Sequence, residues 1–455
     1  MGKQTKVTVV LITYNRLNQL QDTLIWLEHV EAISNIIIVD NGSKDDTEEW
    51  LSTQQYEYIY FDEGVQGYGV LWNIVLSQFE MEEYIVFMEA GVYPEQKCLL
   101  KLAEVLQMES VEMASPMTNC FMADRNNRIT GRENLVHNRL YYQEVLECRI
   151  KRYALCANWK MWAARREIFE NNGAFEENLC GPEEVLTDYS LSLIRKGLRQ
   201  MVCREACAFE SFCRCDEIYP QGNQWRNDDH FFMKTKYGMN YFNLKPNDFL
   251  VERIQRESEN AFKVLEIGCD MGATLVEIQN DYPKCETYGL DINKAAIEIA
   301  THITQAKEGN IDELQIPFGE KFDYIIFGDV LEHLRHPEEV VQMCRNMLNE
   351  NGSIIASIPN VMHISVIEQL IDGRFRYSDA GLLDRTHIHF FTYREIMDLF
   401  LHAGYTIKYI DGIAFKTSER QTQIKKVLLG LSNDTEDWMY ETFQYVVEAQ
   451  KWGKV

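Results

Sequence analysis

The side chains best suited to proton transfer are histidines in the second half of the chain. Five of the 10 histidines fall between positions 333 and 389. Imidazole exchanges protons near neutral pH, so it can take a proton from the hydroxyl group of a substrate. We predict this role for His333 and His387, with Asp384 orienting or polarising them, whereas His336 and His389 are structural or surface residues. For each histidine singly, a hydrogen-bonded structural residue is the alternative.

A lone acidic residue in the segment FMEAGVYP, residues 87–94, is a second candidate. The segment continues the apolar run YIVF, which is typical of a buried strand, and loops after such strands often carry the chemistry of α/β enzymes. Glu89 offers an oxygen ligand of the kind that Mg²⁺ or Mn²⁺ accepts. No second carboxylate follows two residues after Glu89, because position 91 is Gly. The segment is therefore either an altered cation site or a site that has lost its reaction.

A glycine-rich turn in VLEIGCDMGAT, residues 264–274, predicts a ligand pocket. Gly268 and Gly272 allow the backbone to approach a ligand closely, and the following helix offers free amides at its N-terminus. The next strand ends at Asp291, where a carboxylate can accept hydrogen bonds from ribose hydroxyls.

Two successive patterns of alternating strands and helices must position these residues. The first runs from KVTVVLIT at residue 6, and the second begins at residue 262 with FKVLEIG. Such alternation predicts mostly parallel sheets. We predict an α/β fold with domains at residues 1–247 and 248–417, followed by a helical segment at 418–455. One stripe of that segment packs on the second domain or forms a dimer contact, and it consists of Met439, Phe443, Val446 and Val447.

Composition excludes several classes of function. The 455-residue chain has a formal net charge of −25, which argues against binding nucleic acid or an anionic membrane. No apolar run approaches the roughly 20 residues that span a bilayer, and the N-terminus has no signal-peptide cleavage pattern. We predict a cytoplasmic protein without a transmembrane segment.

The 12 cysteines are scattered, which suits reduced cytosolic thiols. Four cysteines that lie closer together, between residues 203 and 215, could hold zinc. Their spacing does not match paired C-x2-C motifs, and the alternation of a strand would bury several of these thiols instead. This group comprises Cys203, Cys207, Cys213 and Cys215.

The second pattern resembles the class I S-adenosylmethionine-dependent methyltransferases over roughly residues 250–410. The resemblance rests on the motifs VLEIGCDMGAT, YGLDIN, EGNIDELQIPF and FDYIIFGDVLEHLRHP, in that order. It implies S-adenosylmethionine as cofactor, and GLLDRTHIHFFT resembles the segment that covers the acceptor pocket in glycan-associated members. Asp270 and Asn310 depart from the usual Gly and Asp.

The resemblance also implies individual roles in the cofactor site. Glu266 and Gly268 would lie at the methionine end, and Asp291 would hold the ribose. Asn310 and Ile311 would flank the adenine. Asp329 and Leu331 would close over the cofactor from the fourth strand.

The first pattern resembles the GT-A fold of the inverting family 2 glycosyltransferases over roughly residues 5–215. The segments VTVVLITYNR and IIIVDNGSKDDTEEW carry this resemblance, which implies a UDP- or dTDP-linked sugar donor and an Mg²⁺ or Mn²⁺ ion. Thr13 and Tyr14 would lie along the nucleotide. Asp40 would bind the base or ribose in a pocket shaped by Asn41, Gly42 and Asp45.

The catalytic acids depart from the family pattern. Asp188 matches the last residue of the Glu-Asp-x-Asp segment, and the usual base position falls on Leu186. Glu183 or Glu184 would substitute if the loop is shifted, and Glu210 would replace a metal-binding histidine.

Together these features predict a two-domain enzyme. It transfers a sugar to a glycan or glycoprotein acceptor and O-methylates a sugar hydroxyl. In the alternative, the first domain only recognises a glycan and methylation is the sole reaction. A third interpretation is methylation of an amine or a small phenol.

Overall fold

The computed structural model describes residues 5–62, 64–118, 151–211, 218–219, 221–239, 242–415, 417–432 and 434–452. The chain forms two compact units, Met1–Lys245 and Pro246–Val455. Each unit contains its own sheet, which confirms the predicted α/β class. The predicted boundary, after residue 247, lies two residues from this division.

The first unit is built on a nine-stranded mixed sheet. Its strands are β1 (Val7–Thr13), β2 (Ile33–Asp40), β3 (Glu57–Tyr60), β4 (Tyr84–Glu89), β5 (Val92–Pro94), β6 (Val111–Thr118), β7 (Lys151–Ala154), β8 (Met161–Arg165) and β9 (Arg199–Glu210). They are ordered β3-β2-β1-β4-β8-β6-β9-β5, with β7 paired to β9. The first four strands in that order are parallel, so their carboxyl ends meet at one edge.

The first helix of this unit packs through an apolar stripe. In the first helix, Leu20, Leu24 and Leu27 are buried at helical spacing. Within the described residues, the helices of the unit are Leu17–Leu27, Thr47–Ser52, Tyr68–Gln78, Cys98–Val105, Glu167–Asn172, Pro182–Ile194 and Gly222–Tyr237. All seven residues of β1 are buried, as expected for a strand with both faces covered.

The second unit is built on a seven-stranded sheet. Its strands are β10 (Lys263–Ile267), β11 (Glu286–Asp291), β12 (Gln305–Glu308), β13 (Phe322–Gly328), β14 (Leu348–Pro359), β15 (Tyr405–Ala414) and β16 (Thr442–Lys451). They are ordered β12-β11-β10-β13-β14-β16-β15. The first five are parallel, and β16 is antiparallel to both of its neighbours.

The helices of the second unit follow its strands in the predicted alternation. They are Asp248–Val251, Ala273–Asp281, Lys294–Ala300, Pro337–Met347, Ile364–Ile371, Tyr393–His402, Glu419–Leu431 and Asp437–Glu441, with 3₁₀ turns at Ile311–Glu313 and Leu331–His333.

The prediction of a helical C-terminal segment is wrong for its last part. Residues 442–451 form strand β16, hydrogen-bonded to β14 and β15 along its two edges. Val446 and Val447 pack into different hydrophobic clusters. A strand buried on both faces lacks polar alternation, so its sequence imitates a helical stripe. This stretch completes the sheet of the second unit.

No helix in the described part of the chain is both long and apolar enough to cross a membrane.

Candidate active sites

The glycine-rich turn after β10 has a backbone that needs its glycine. Gly268 has φ +75°, and a Cβ there would lie 2.4 Å from Val330 Cγ2. Asp270, the departure from the expected glycine, adopts φ +48°, a left-handed conformation that Asp tolerates better than most residues. The turn therefore keeps its shape despite the substitution.

Two carboxyl groups border this turn, as predicted. Asp291 accepts hydrogen bonds from the amides of Asp270 (2.8 Å) and Asn293 (2.7 Å), which fixes it beside the turn. Glu266 is buried, and its Oε2 has no hydrogen-bond partner among the described residues. Burial raises the pKa of Glu266 to about 8, and the nearby carboxylates of Asp291 and Asp270 add to the shift. A bound cation or N–H donor would satisfy this oxygen.

Two residues predicted to touch the cofactor use their side chains elsewhere. Ile311 and Leu331 are buried in the hydrophobic core of the unit, so their side chains hold the two 3₁₀ turns in place. Asn310 caps the first turn by accepting a hydrogen bond from the Asp312 amide (3.0 Å).

Asp329 lies directly after β13 and is held by two residues from other strands. Its Oδ1 accepts hydrogen bonds from Ser357 (3.1 Å) and from Gln444. Gln444 could not be found from the sequence, because the segment containing it was taken for a helix. Asp329 has φ +55°, so the strand ends in a sharp turn at this residue.

The predicted histidine pair is brought together by two distant segments. The rings of His333 and His387 lie 4.8 Å apart between centroids. The Nδ1 atom of His333 is 3.1 Å from the carbonyl oxygen of Thr386, and that of His387 is 3.3 Å from the carbonyl oxygen of Leu382. A carbonyl oxygen accepts only, so each Nδ1 carries the proton and each Nε2 keeps its lone pair. Burial and the neighbouring His333 lower the pKa of His387.

Asp384 does not orient either ring through a hydrogen bond in the described structure. Its Oδ1 accepts from the amide (2.7 Å) and hydroxyl (2.6 Å) of Thr386 in a local turn. Although burial opposes the shift, these hydrogen bonds leave the pKa of Asp384 below its ordinary value. The predicted orienting role belongs instead to the two backbone carbonyls, and Asp384 acts on His387 through its charge.

Sequence reasoning missed Glu332, the residue between Leu331 and His333. Its side chain is 1% exposed, and neither carboxyl oxygen has a hydrogen-bond partner among the described residues. Its Oε1 lies 3.9 Å from His387 Nε2. The available signal was a carboxylate adjacent in sequence to a candidate base.

In the first unit, the ends of β1 and β2 present unsatisfied polar atoms. Thr13 and Asp40 are register partners, and both are buried. Ser43 donates its amide to Asp40 Oδ1 (2.9 Å), but Asp40 Oδ2 and Thr13 Oγ1 have no hydrogen-bond partner among the described residues. Burial raises the pKa of Asp40. These two atoms can accept hydrogen bonds from a ligand.

Neighbouring predicted residues shape this edge of the sheet. Asn41 exchanges two hydrogen bonds with the backbone of Gln66, at 2.8 and 3.0 Å. Gly42 has φ +82°, and a Cβ there would lie 2.8 Å from the backbone of Gly64. Asp45 accepts hydrogen bonds from the amides of Leu17 (3.3 Å) and Thr47 (3.2 Å). Asn41 and Gly42 therefore fix the position of the loop at residues 64–66, and Asp45 fixes the first turns of two helices.

Tyr14 is packed against another aromatic residue. Its ring stacks on Tyr219 at 5.0 Å between centroids, and the Tyr219 hydroxyl lies 3.0 Å from that of Tyr68. Tyr68 in turn donates a 2.5 Å hydrogen bond to Glu89. An aromatic wall therefore connects the predicted nucleotide edge to Glu89.

Glu89 lies among cations. It is buried, and burial raises its pKa to about 7, although Tyr68, Arg16 and Lys160 oppose the shift. Lys160 forms an ion pair with Glu210 at 2.7 Å, with side chains 3% and 1% exposed. Lys160 was missed because it is a single charge in the apolar run ANWKMWAA.

These residues do not fit the divalent cation that the family resemblance implies. Glu210, the expected replacement ligand, is already neutralised by Lys160. In the described ranges, no group of three ligand-type side chains converges around Glu89. Among the described residues, Glu89 thus lacks the further ligands that a divalent cation needs.

The two acids predicted on helix Pro182–Ile194 have different environments. Burial raises the pKa of Glu184 to about 7, and the charges of Glu183 and Asp229 add to the shift. Asp188 accepts a hydrogen bond from Tyr237 (2.7 Å) and pairs with Lys236 (2.8 Å). Glu184 therefore resembles a general base, whereas Asp188 anchors helix Gly222–Tyr237.

The proposed zinc cluster can be assessed only in part. Cys203 and Cys207 are buried, and burial raises the pKa of Cys203. Cys213 and Cys215 lie outside the described residues. The described pair is consistent with structural cysteines of β9.

Comparison with known families matches both units. A model described as "Glycosyl transferase family 2" matches residues 8–173. A model described as "Methyltransferase domain" matches residues 236–409.

Curated relatives match part of the second unit. A ubiquinone biosynthesis O-methyltransferase of Glaesserella parasuis is 33% identical over 109 residues, which is 22% of this chain and 45% of the relative. A malonyl-[acyl-carrier protein] O-methyltransferase of Paenibacillus is 27% identical over 115 residues, or 23% of this chain and 42% of the relative. The chain thus spans less than half the length of these relatives.

Solved structures resemble each half at low identity. A Pyrobaculum calidifontis mannosyltransferase in complex with GDP-Man and Mn²⁺ is 16% identical, covering 52% of this chain and 64% of that one, at a TM-score of 0.36. A SAM-dependent methyltransferase of Archaeoglobus fulgidus is 19% identical, covering 49% and 99%, at 0.32. Neither likeness bears on activity. From the family matches, the chain carries a family 2-type glycosyltransferase domain followed by a class I S-adenosylmethionine-dependent methyltransferase domain.

Proposed function

We propose that the protein is a bifunctional enzyme that O-methylates a sugar hydroxyl and transfers a sugar from a nucleotide donor to a glycan or glycoprotein. The observation that carries the methylation proposal is the arrangement at the carboxyl ends of the strands in the second unit. Glu266 and Asp291 border the glycine-rich turn, and His333 and His387 converge after β13.

The donor side fits S-adenosylmethionine, which supplies an electrophilic methyl group when bound. The orphan oxygen of Glu266 is suited to the ammonium group of the methionine moiety. Asp291 keeps lone pairs for ribose hydroxyls, because each of its oxygens accepts only one described hydrogen bond.

The acceptor side fits a hydroxyl that must lose its proton during transfer. The two Nε2 lone pairs give this face basic character near neutral pH. The same chemistry suits a phenol, an acceptor class that the sequence leaves open. The glycosyltransferase domain on the same chain favours a saccharide, because a sugar added by one domain is held near the other.

Calorimetric titration of S-adenosylmethionine tests the donor assignment. We expect Asp291→Ala to weaken binding at least about tenfold, since a hydrogen bond to a charged group contributes roughly 1.5–3 kcal/mol. Asp434→Ala, which alters an exposed carboxylate of the same unit, is the matched control. Equal affinity in both variants would refute the ribose assignment. The mass and linkage of methylated products from saccharide and phenolic acceptors then distinguish the acceptor classes.

For the first unit, we infer binding of a nucleotide sugar without a divalent cation. Thr13 and Asp40 offer unsatisfied acceptors for the nucleoside. Glu184 is the candidate base, because a pKa of about 7 suits proton removal at neutral pH.

Titration of UDP- and dTDP-sugars with Mn²⁺ and again with chelator tests this inference. We expect the same affinity in both conditions, and a requirement for Mn²⁺ would contradict it. Glu184→Gln should abolish sugar transfer while leaving donor binding intact. A parent protein that binds donors and methylates saccharides but transfers no sugar would support the alternative of a glycan-recognition domain.

A further inference from the structure

We propose that Glu332, His333 and His387 bind a divalent transition-metal ion on the acceptor side of the methyltransferase domain. The inference rests on the proposed function, because it assigns the ion a role in ionising the acceptor hydroxyl. One potential ligand atom from each residue lies within 4.8 Å of the others. One carboxylate and two imidazoles form a donor set that suits zinc and related first-row ions.

The buried carboxylate is the strongest observation. Glu332 is 1% exposed, and both of its oxygens lack a hydrogen-bond partner among the described residues. A buried acid with no partner is unfavourable. Its backbone oxygen accepts hydrogen bonds from the amides of Ile388 and His389, each at 3.0 Å. These bonds fasten the segment that carries His387 next to Glu332.

The orientation of the two imidazoles supports the same conclusion. Histidines that bind a metal usually donate their other N–H to a carbonyl or carboxylate, which fixes the tautomer. Both rings have this arrangement, with Nδ1 facing the carbonyl of Thr386 or Leu382. Each Nε2 is therefore available for coordination. The 3.9 Å between His387 Nε2 and Glu332 Oε1 needs only a small closure around an ion that holds ligands at about 2.0–2.2 Å.

Three protein ligands leave a coordination position for the acceptor oxygen. A bound cation lowers the pKa of a coordinated hydroxyl, as it does for water. With both Nε2 atoms coordinated, the histidines hold the ion instead of accepting the proton themselves. The proton passes to solvent, and the oxygen forms a bond to the methyl carbon as the carbon–sulfur bond breaks. The products are the methyl ether, neutral S-adenosylhomocysteine and one proton.

The test uses Co²⁺ as the probe, because its visible absorption reports nitrogen and oxygen ligands. The full chain, stripped with chelator, is titrated with Co²⁺ in the absence of acceptor. We expect one equivalent to bind, with affinity reduced at least about tenfold to a hundredfold in Glu332→Gln and His387→Gln. His336→Gln, at an exposed nearby histidine, is the matched control and should bind like the parent.

A second readout separates this inference from the proposed function and from misfolding. Co²⁺ should raise the thermal midpoint of the parent but not of Glu332→Gln. S-adenosylmethionine should bind both proteins equally, which shows that the variant is folded and that the donor site stands by itself. No binding by the parent, or equal affinity in the parent and all three variants, would overturn the metal site. Loss of cofactor binding in Asp291→Ala with unchanged Co²⁺ affinity would support it.

Discussion

Buried carboxylates in the two domains are neutralised in opposite ways. In the glycosyltransferase domain, Glu210 at the end of β9 is paired with Lys160 from the same domain. In the methyltransferase domain, Glu266 and Glu332 keep carboxyl oxygens that no described residue satisfies. Glu210 thus has its counter-charge within its own domain, whereas the oxygens of Glu266 and Glu332 remain available to a ligand. A family fold can therefore persist while the electrostatics of its site change.

The largest expected effect on stability comes from breaking the ion pair between Lys160 and Glu210. Lys160→Met removes a buried counter-charge of Glu210, and breaking such a pair should cost about 3–5 kcal/mol of unfolding free energy. Chemical denaturation of the full chain, followed through the transition of the first domain, measures it. Lys236→Met is the matched control, because Lys236 is 35% exposed in its pair with Asp188 and such pairs contribute only about 0–1 kcal/mol. Equal losses of unfolding free energy in the two variants would show that the buried pair of Lys160 contributes no more to stability than the more exposed pair of Lys236.

A pH-dependent effect should follow from Glu89. Its folded pKa of about 7 lies above its ordinary value of 4.5, so the folded state binds the proton more tightly than the unfolded state. The stabilisation is complete below pH 4.5 and is lost as the pH rises through 7. Glu89→Gln should therefore be more stable than the parent at pH 8, by up to roughly 3 kcal/mol. Denaturation curves between pH 4 and 8 check this, and parallel pH profiles for the two proteins would contradict it.

Most of the architecture could be predicted because apolar runs and glycine turns report local structure. The alternation of strands and helices was sufficient to identify two α/β domains. Strand β16 was missed because Val446 and Val447 are both buried, and a doubly covered strand has no period of two. The order β14-β16-β15 depends on pairing between segments far apart in sequence, which no local pattern specifies.

The residues of the two sites also fall into those that a local motif predicts and those that depend on long-range contacts. Gly268, Asp291 and Asp40 could be found because each lies at a strand end with a recognisable motif. The pairing of Lys160 with Glu210 joins residues 50 positions apart, and the approach of His387 to Glu332 depends on the folding of a loop. Such contacts decide charge and ligand availability, and no local sequence pattern specifies them.

A smaller effect should come from the glycine turn of the methyltransferase domain. Gly268→Ala places a Cβ against Val330 at a positive φ, which should cost about 1–3 kcal/mol and weaken S-adenosylmethionine binding. Gly319→Ala is the control, because no atom lies within 4 Å of a Cβ at that position. Thermal unfolding and cofactor titration of both variants measure the difference. An unchanged affinity in Gly268→Ala would show that the turn does not approach the cofactor.

The smallest effect on stability distinguishes two aspartates that share one sequence motif. Asp45 caps two helix starts, so Asp45→Ala should cost about 1 kcal/mol and leave the affinity for uridine diphosphate nearly unchanged. Asp40→Asn should weaken uridine diphosphate binding and leave stability nearly unchanged. An amide nitrogen would replace the Oδ2 acceptor, which has no partner among the described residues, while Oδ1 still accepts the hydrogen bond from the Ser43 amide. Calorimetry with uridine diphosphate and thermal unfolding of both variants provide the comparison. If Asp45→Ala weakened nucleotide binding as strongly as Asp40→Asn, the unsatisfied oxygen of Asp40 would not mark the nucleotide site, and loop positioning alone would govern affinity.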